Sequence, residues 1–480
     1  MTSAAPRVPT IGIIGGGVTG GAVAWHLAQA PAAARILLFE PRTRLGAGLA
    51  YGGGDPNHRI NVPATRMSLI PHDAEAFPLW LAKSGEGAAD PGARCGDDLY
   101  PTRAAFGRHM DDQLRPLVAA GHIRHVAQAV TSAEKNGDGW RLTAASGEDF
   151  EVDYLALATT HPDPGLLREL APFVADPRLI ANGLADDALQ SVEPDENVLI
   201  VGSGLTGADI VCTLDARAHR GKITMISRRG LRSHGHPPQP WPPEGDFISQ
   251  SARGATSLLR SIRRAVRKAE SEGRSWHPVL DAVRAQGGPI WEALDVPARR
   301  RVLRHLRPYW DVHRFRAAPQ VDAALDRRIA QGLLVLRRAR LGAVARAADG
   351  FFVTLRLRHG REVVEKFDRI VVATGPAHGD VIHSQPYLQK LAAQGLIAPD
   401  EVGLGLQTTT SGRAIGADGE VSATLFIAGP LARGTFGELM GLPQVTLYAR
   451  FIAEEVGRAL AGAPEGRFVS LVETREQTEA

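Results

Sequence analysis

Two glycine fingerprints of the same kind stand in this chain, and they restrict its fold more than any other feature. The first, G-G-G-V-T-G at residues 15–20, follows the apolar run at residues 11–14. The second, G-S-G-L-T-G at residues 202–207, follows the apolar run at residues 198–201. In a strand–turn–helix unit, such glycines allow a tight turn and let the helix N-terminus approach a pyrophosphate. We therefore expect two Rossmann-like dinucleotide-binding units.

The two units differ at the end of the strand that follows each glycine-rich turn. Glu40 lies 20 positions after Gly20, where a carboxylate accepts hydrogen bonds from the adenosine ribose. Ser227, Arg228 and Arg229 take the corresponding place in the second unit. A carboxylate there would repel a 2′-phosphate, whereas a hydroxyl and two guanidinium groups would bind one. The second unit is therefore predicted to prefer NADPH over NADH, unless the arginines are only solvated surface charges.

The composition limits the possible partners. The chain has 480 residues, enough for two or three domains, with 44% hydrophobic and 22% charged residues. Its formal net charge of +3 does not by itself indicate nucleic acid. The N-terminus lacks the basic start of a signal peptide, and no apolar run could span a bilayer. We expect a cytoplasmic protein with a small-molecule substrate, no nucleic-acid partner and no membrane span, and the sequence does not indicate its oligomeric state.

The two halves of the chain repeat one order of strands. After the first fingerprint, strand patterns lie at residues 126–133, 140–145, 150–152 and 153–160. The second half repeats them at residues 341–347, 351–358, 362–366 and 368–375. The last strand of each set is an apolar run that leads into Ala-Thr and a turn.

With its two fingerprints and the two Ala-Thr segments, the chain resembles the flavoproteins with two dinucleotide-binding domains. That superfamily includes glutathione-reductase-like enzymes, flavin-containing monooxygenases and N-hydroxylating monooxygenases. The resemblance implies an α/β fold with two Rossmann-like three-layer domains, FAD on the first fingerprint and NADPH on the second. It implies a discontinuous FAD domain, residues 1–162 and 376–480, with the NADPH domain, residues 163–375, inserted in it. A helical lid or substrate insert at about residues 240–330 is assigned to the NADPH domain.

A closer resemblance is to a poorly characterised bacterial group of FAD-NAD(P)-binding oxidoreductases. It rests on segments at residues 48–51, 58–64, 66–68, 305–314 and 429–434. The chemistry of that group is mostly unassigned, so this resemblance implies little about the substrate.

The spacing and the resemblance together predict the cofactor contacts. The FAD-binding residues are predicted to be Gly15, Gly17, Val18, Thr19, Gly20, Glu40, Pro41, Asn61, Val62, Ala158, Thr159, Gly429 and Pro430. The NADPH-binding residues are predicted to be Gly202, Ser203, Gly204, Leu205, Thr206, Gly207, Ser227, Arg228, Arg229, Thr374 and Gly375. The chain departs from the superfamily at Thr160, which is usually glycine, and at Pro430, often an aspartate that contacts FAD. We expect backbone N–H groups at residues 441–444 to replace the contact of that aspartate.

Three kinds of flavin chemistry are open to a protein that binds FAD and NADPH. A disulfide reductase needs a redox-active cysteine pair, and Cys95 and Cys212 have no CxxC spacing. The nearness to N-hydroxylating enzymes favours a monooxygenase. In such an enzyme NADPH reduces FAD, O2 adds at the flavin C4a atom, and the hydroperoxide oxygenates a small nucleophile, an amine or an amino-acid-like molecule. The alternatives are an NADPH-dependent reductase or dehydrogenase without oxygenation, and a flavin-bearing redox sensor or binding protein.

The segment at residues 46–68 should run along the flavin, because it follows the ribose carboxylate. Asn61 is predicted to contact the flavin or the nicotinamide through its amide, and a turn-forming asparagine is the open alternative. His58 is a candidate base, or else a structural loop histidine. Arg66 is a candidate ligand for a phosphate or carboxylate, or else half of a structural ion pair.

A helical pattern with one basic face extends from residue 249 to about residue 316. The basic face is either the solvated side of a lid or a contact for a membrane, a nucleic acid or an acidic partner. Within the pattern, Trp310, Asp311, His313 and Arg314 combine an aromatic wall with charges of both signs, and they are predicted to bind the substrate. The alternative is a tryptophan in the lid core and an Asp–Arg pair that fixes the lid.

No metal site is predicted. His234 and His236 lie close together in the sequence, but a metal needs further ligands in register, and none is present in the surrounding proline-rich loop.

Overall fold

The helices and strands follow the order that the two fingerprints predict. The computed structural model describes residues 7–30, 34–71, 73–159, 162, 165–249, 254–375 and 380–468, so Thr160 lies outside the described residues. The strands are β1 (Thr10–Ile14), β2 (Arg35–Phe39), β3 (Arg94–Cys95), β4 (Asp98–Leu99), β5 (Ile123–Val126), β6 (Val130–Asn136), β7 (Gly139–Ala144), β8 (Asp149–Val152), β9 (Tyr154–Leu157), β10 (Leu179–Ile180), β11 (Val198–Val201), β12 (Ile223–Ser227), β13 (Leu334–Arg338), β14 (Arg340–Ala347), β15 (Gly350–Arg356), β16 (Glu362–Phe367), β17 (Arg369–Val372), β18 (Arg413–Ile415) and β19 (Val421–Ile427). The helices are α1 (Val18–Ala28), α2 (Gly48–Gly52), α3 (Ala76–Ser84), α4 (Glu86–Ala89), α5 (Arg103–Ala119), α6 (Leu205–Ala216), α7 (Ala255–Ser271), α8 (His277–Ala285), α9 (Gly287–Ala293), α10 (Val296–Arg301), α11 (Arg307–Arg314), α12 (Pro319–Ala330), α13 (Pro386–Ala393), α14 (Arg433–Phe436) and α15 (Gln444–Leu460). A π-helix, Val302–Leu306, joins α10 to α11.

The first parallel sheet has six strands in the order β18-β19-β9-β1-β2-β5. All neighbours are parallel except the pair β18–β19. Helices α1 and α15 pack against each other beside this sheet. On the other face lies the antiparallel meander β6-β7-β8, since a Cβ added at Gly12 would stand 3.0 Å from Leu142 and 3.2 Å from Val152. Burial on both faces explains why β1 is a continuous apolar run.

The second parallel sheet repeats this plan. Its strands lie in the order β10-β17-β11-β12-β13, all parallel. The meander β14-β15-β16 covers one face, where Phe351 and Val353 share a core with Leu199 and Ile370. Helices α6 and α12 lie together on the other side. Each sheet therefore forms the middle layer between helices and a meander.

The second sheet is inserted in the first. The first sheet takes strands from residues 10–157 and again from residues 413–427, while every strand of the second lies between residues 179 and 372. The predicted fold class is confirmed, whereas the exact domain bounds stay a prediction. One predicted strand, at residues 126–133, is wrong. The chain leaves the parallel sheet after Val126, turns at Gln128, and begins the meander at Val130.

The predicted helical insert contains α7 to α11. The inner face of α7 packs through Leu258, Ile262 and Ala269 against the other insert helices. Its outer face exposes five basic side chains, those of Arg260, Arg263, Arg264, Arg267 and Lys268. Across the described parts of the chain, the helices are too short or too polar to cross a membrane. The cytoplasmic location stays a prediction.

Candidate active site

The first glycine turn leaves the N-terminus of α1 open. Gly15 has a φ of +101°, which favours glycine. A Cβ at Gly20 would lie 1.8 Å from the Gly15 carbonyl oxygen, so only glycine lets the helix pack so closely on the turn. No side chain caps α1, and no acidic residue lies in its first turn. The free N–H groups and the positive end of the helix dipole therefore remain available for an anion.

Three separate segments meet at this helix N-terminus. A Cβ at Gly15 would lie 2.8 Å from the carbonyl oxygen of Ala158, and one at Gly429 would lie 2.6 Å from Thr19 Oγ1. Thr159 follows, and its hydroxyl lies 2.8 Å from the hydroxyl of Tyr387. The structure thus brings together residues that the sequence analysis predicted from three places in the chain. Pro430 lies beside them in a short 3-10 turn, and Val62 is buried.

Glu40 is fixed beside the same turn. Its side chain is buried, and Oε2 accepts a hydrogen bond from the Gly16 N–H at 3.0 Å. Oε1 accepts hydrogen bonds from the backbone and the guanidinium of Arg42, both at 3.1 Å. Oε2 keeps a further lone pair for a ribose hydroxyl. Arg42 is not predicted from the sequence, whereas Pro41, which is predicted to bind FAD, is exposed.

The second glycine turn has the same construction. A Cβ at Gly202 would lie 2.0 Å from the carbonyl oxygen of Ala373 and 3.1 Å from the Thr374 nitrogen. The helix α6 begins at Leu205 without a side-chain cap or an acidic residue in its first turn. A Cβ at Gly204 would meet nothing within 4 Å. The turn therefore offers open space in front of a helix N-terminus, which fits a second pyrophosphate.

Ser227, Arg228 and Arg229 form a basic edge beside the second glycine turn, as the sequence predicts. Ser227 Oγ accepts a hydrogen bond from the Gly230 N–H at 3.0 Å and keeps its own proton to donate. Arg228 is exposed, and the guanidinium of Arg229 lies 5.8 Å from the ring centre of Tyr309. Among the described residues, neither arginine forms a salt bridge. Both therefore remain available to an anionic ligand.

The three residues predicted from residues 46–68 have different surroundings. The carbonyl oxygen of Asn61 accepts a hydrogen bond from His236 Nε2 at 3.0 Å, and its side-chain amide has no partner among the described residues. Arg66 is exposed and forms no salt bridge within the described parts of the chain. His58 Nε2 instead lies 3.2 Å from the hydroxyl of Thr213 on α6. Its position favours the structural alternative, a link between the loop and α6.

Two of the predicted substrate residues face the insert itself. Trp310 packs against the core around Phe247 and Val279. His313 Nδ1 lies 2.6 Å from the Tyr309 carbonyl oxygen, and its ring meets the ring of Trp276 edge to face. Trp310 is half-buried against the core of the insert, which is the arrangement of the alternative interpretation, so its role in substrate binding stays a prediction.

Arg314 and Asp311 instead belong to a group of buried and half-buried charges. We define the arginine cluster as Arg284, Arg307, Arg314 and Arg433 with Asp311 and Glu438. Arg314 donates to Glu438 Oε1 at 2.8 and 2.6 Å. Arg307 Nε donates to Asp311 Oδ2 at 3.3 Å. Arg433 Nε donates to the Gly437 carbonyl oxygen at 3.1 Å.

Arg284, like Arg433, has no ionic partner among the described residues. Its Nη2 donates to the Leu442 carbonyl oxygen at 3.2 Å and to Gln444 Oε1 at 3.1 Å. Its Nε is buried and has no hydrogen-bond partner among the described residues. The sequence does not predict Arg284, Arg433 and Glu438, since no local pattern joins α8 to the segment after β19.

The pKa values of the cluster reflect a surplus of buried positive charge. Burial and the charge of Arg314 lower the pKa of Arg284 well below its ordinary value. Burial alone would raise the pKa of Glu438, but Arg314 and the other arginines hold it below its ordinary value. Burial raises the pKa of Asp311, whose Oδ1 has no partner among the described residues. Because a guanidinium keeps its proton in proteins, the cluster would be stabilised by a bound anion.

The remaining candidates for chemistry do not come together. Cys95 is exposed in the hairpin β3–β4, and Cys212 is buried in α6, so they do not form a dithiol pair. His234 lies beside the ring of His313, whereas His236 is directed to the Asn61 carbonyl oxygen. Within the described residues there is no group of three or more side chains that could hold a metal ion.

Residues 12–162 match the sequence model of a family described as FAD-NAD(P)-binding. This segment is an FAD-NAD(P)-binding domain. A curated relative, the nitrosuccinate-forming L-aspartate N-monooxygenase of Streptomyces cremeus, is 32% identical over 158 residues, which is 29% of this chain and 22% of that enzyme. This chain thus matches about a fifth of the length of that relative.

Solved structures extend the likeness beyond the FAD-NAD(P)-binding domain to the whole fold. The ornithine hydroxylase of Pseudomonas aeruginosa superposes with a TM-score of 0.63 at 16% identity, over 95% of this chain and 100% of that chain. An ornithine N-hydroxylase of Kutzneria sp. 744 has a TM-score of 0.62 at 16% identity, over 94% and 99% of the two chains. The chain therefore has the fold of flavoproteins with two dinucleotide-binding domains, and the predicted resemblance is confirmed at that level.

Proposed function

We propose that this protein is an FAD-dependent, NADPH-consuming monooxygenase that oxygenates the amino group of a small amino acid with carboxylate groups. The observation that carries the proposal is the matched pair of glycine turns, each in front of an open helix N-terminus. A chain that binds one dinucleotide at each turn can pass a hydride from one to the other. The likeness to N-hydroxylating enzymes, including one that acts on L-aspartate, favours oxygenation of an amine.

FAD would bind at the first glycine turn and NADPH at the second. The N-terminus of α1 would hold the FAD pyrophosphate and Glu40 the adenosine ribose, while Arg228 and Arg229 would hold the 2′-phosphate of NADPH. When bound, the flavin would supply hydride acceptance and O2 activation, for which amino-acid side chains have no equivalent. The protein would orient the groups and exclude water. The amide of Asn61 would donate to or accept from the flavin or nicotinamide.

The arginine cluster would bind the substrate. Four guanidinium groups stand against two carboxylates, so a substrate with carboxylates would offset the excess charge. Aspartate, the substrate named for the Streptomyces cremeus enzyme, has this chemistry. The Oδ1 atom of Asp311 would accept a proton from the substrate ammonium, because its raised pKa makes it a better base than an ordinary carboxylate. The amine would then have a free lone pair for the reaction.

The test of this proposal is NADPH oxidation by the purified protein with FAD, O2 and a panel of aspartate, glutamate, ornithine and lysine. We expect one of the two acidic amino acids to stimulate NADPH oxidation and to yield a hydroxylated amine, detected by a gain of one oxygen in mass. Oxidation that continues without O2 when another electron acceptor is present would instead indicate a reductase. A protein that binds neither flavin nor NADPH would contradict the proposal altogether.

A matched pair of variants tests the arginine cluster. Arg284→Met removes a half-buried cation that has no ionic partner among the described residues, and Arg260→Met removes an exposed cation from α7. A hydrogen bond to a charged group contributes about 1.5–3 kcal/mol, so we expect Arg284→Met to raise the KM for the amino acid roughly tenfold to a hundredfold. The KM for NADPH should not change, and Arg260→Met should resemble the wild type. An unchanged amino-acid KM in Arg284→Met would remove the cluster from the substrate site.

A further inference from the structure

The ends of β12 and β13 lie side by side next to the second glycine turn. Ser227 and Arg338 are partners in the parallel register, and the Ala339 N–H donates to the Ser227 carbonyl oxygen at 3.0 Å. A Cβ at Gly230 would lie 2.9 Å from the Cβ of Arg338. The turn that contains Arg229 therefore packs directly against the backbone of Arg338.

Arg338 adds a third cation to this edge. Its side chain is exposed, and within the described residues it has no ionic partner. Its neighbour Arg337 differs, since that side chain pairs with Glu365. Residues in register on parallel strands project to the same side of a sheet, so Arg338 and Ser227 share a side. Like charges placed so closely repel one another, and a dianion between them removes that repulsion.

A residue of the helical insert borders the same edge. The ring of Tyr309 on α11 is 46% exposed, and the guanidinium of Arg229 lies 5.8 Å from its centre. A guanidinium over an aromatic ring is attracted by the negative face of the ring. Tyr309 therefore restrains the guanidinium of Arg229 at this edge.

We propose that Arg338 binds the adenosine 2′-phosphate of NADPH together with Arg228 and Arg229, and so determines the preference for NADPH over NADH. The inference rests on the proposed function for the identity of the dinucleotide. Arg338 comes from the neighbouring strand β13, more than a hundred positions after Arg229 in the sequence. A phosphate monoester near −2 charge matches three guanidinium groups better than two, because each makes a charge-assisted hydrogen bond.

Direct binding of two nucleotides tests this assignment without turnover. The affinities of 2′,5′-ADP and 5′-AMP are measured by calorimetry for the wild type, Arg338→Ala and Arg340→Ala. Arg340 is also exposed and has no ionic partner among the described residues, so it controls for the loss of one surface charge. Competition with inorganic phosphate distinguishes a nucleotide site from a general anion site. Flavin content and thermal unfolding establish that the variants are folded.

We expect the wild type to bind 2′,5′-ADP at least tenfold more tightly than 5′-AMP. Loss of one charge-assisted hydrogen bond should weaken 2′,5′-ADP roughly tenfold to a hundredfold in Arg338→Ala and leave 5′-AMP unchanged. Arg338→Lys, which keeps the charge, should recover part of the loss, and Arg340→Ala should match the wild type. Equal weakening of both nucleotides, or of neither, overturns the role of Arg338. A wild type that does not distinguish the two nucleotides overturns the NADPH assignment itself and the inference with it.

Discussion

One carboxylate oxygen of Glu438 accepts two hydrogen bonds from the guanidinium of Arg314, at 2.8 Å from Nε and 2.6 Å from Nη2. The two side chains are only 10% and 3% exposed. Arg314 ends α11, and Glu438 lies between α14 and α15, so the pair fastens the helical insert to the segment that follows the last strand of the first sheet. A buried charge that loses its partner is strongly unfavourable, which makes this contact sensitive to substitution.

Glu438→Gln should destabilise the protein. The variant leaves Arg314 buried without its counter-charge, and the expected loss is about 3–5 kcal/mol. Thermal unfolding of the holoenzyme measures it as a lowered Tm. The control is Glu454→Gln, which removes an exposed partner of Arg450 and should change stability by about 0–1 kcal/mol. Equal effects of the two substitutions would mean that the Glu438 pair contributes no more than a surface pair.

The same pair should give the stability a dependence on acid pH. The arginines hold the pKa of Glu438 below the ordinary value of 4.5, although burial alone would raise it. A carboxyl with a lowered pKa stabilises the folded state above the unfolded pKa, and this contribution is lost as the pH falls through the folded pKa. The Tm difference between the wild type and Glu438→Gln should therefore shrink below about pH 4.5. A difference that does not change with pH would contradict an ionic role.

His109 should destabilise the protein as the pH falls. It is buried among Phe77, Trp80 and Phe106, and neither ring nitrogen has a partner among the described residues. Burial lowers its pKa from 6.5 to about 4. Between these two values the unfolded chain binds a proton that the folded chain does not, so stability falls as the pH is lowered through this window.

His109→Phe should therefore stabilise the protein, by about 1–3 kcal/mol, because it removes buried polar atoms without partners. The gain in Tm over the wild type should be larger at pH 5 than at pH 8. The exposed His122 provides the control, and His122→Gln should change the stability by less than about 0.5 kcal/mol at either pH. A gain that is the same at both pH values would show that the titration of His109 does not contribute.

The sequence predicted the dinucleotide turns well, because a glycine fingerprint acts over a few residues and its requirements are local. The close approach of Gly20 to the Gly15 carbonyl oxygen is of this kind. The arginine cluster could not be predicted in the same way, since Arg284 and Glu438 come together only after the chain returns to the first sheet. The surroundings of Trp310 could not be predicted either, because a helical tryptophan has the same local sequence pattern whether it faces a pocket or a core.

His58→Gln tests whether the predicted base is structural. Its Nε2 lies 3.2 Å from Thr213 Oγ1, and that hydroxyl donates to Asp55 Oδ2 at 2.6 Å. We expect the substitution to leave the kcat and its pH profile unchanged and to lower stability by about 1 kcal/mol, the contribution of one hydrogen bond. A large fall in kcat with an altered pH profile would restore His58 as a base.

Gly204→Ala should weaken NADPH without disturbing the fold. The backbone of Gly204, with φ −84° and ψ −162°, suits any residue, and a Cβ there would meet no protein atom within 4 Å. The added methyl group would instead occupy the space through which a pyrophosphate approaches the N-terminus of α6. We expect the affinity for NADP+ to fall on the order of tenfold, equivalent to about one lost hydrogen bond. Flavin content and Tm should match the wild type.

Gly457→Ala, also without a neighbour within 4 Å, is the matched control and should change the binding of neither cofactor. Loss of FAD rather than NADP+ in Gly204→Ala would reverse the assignment of the two turns, and unchanged binding of both would remove the second turn from the dinucleotide site.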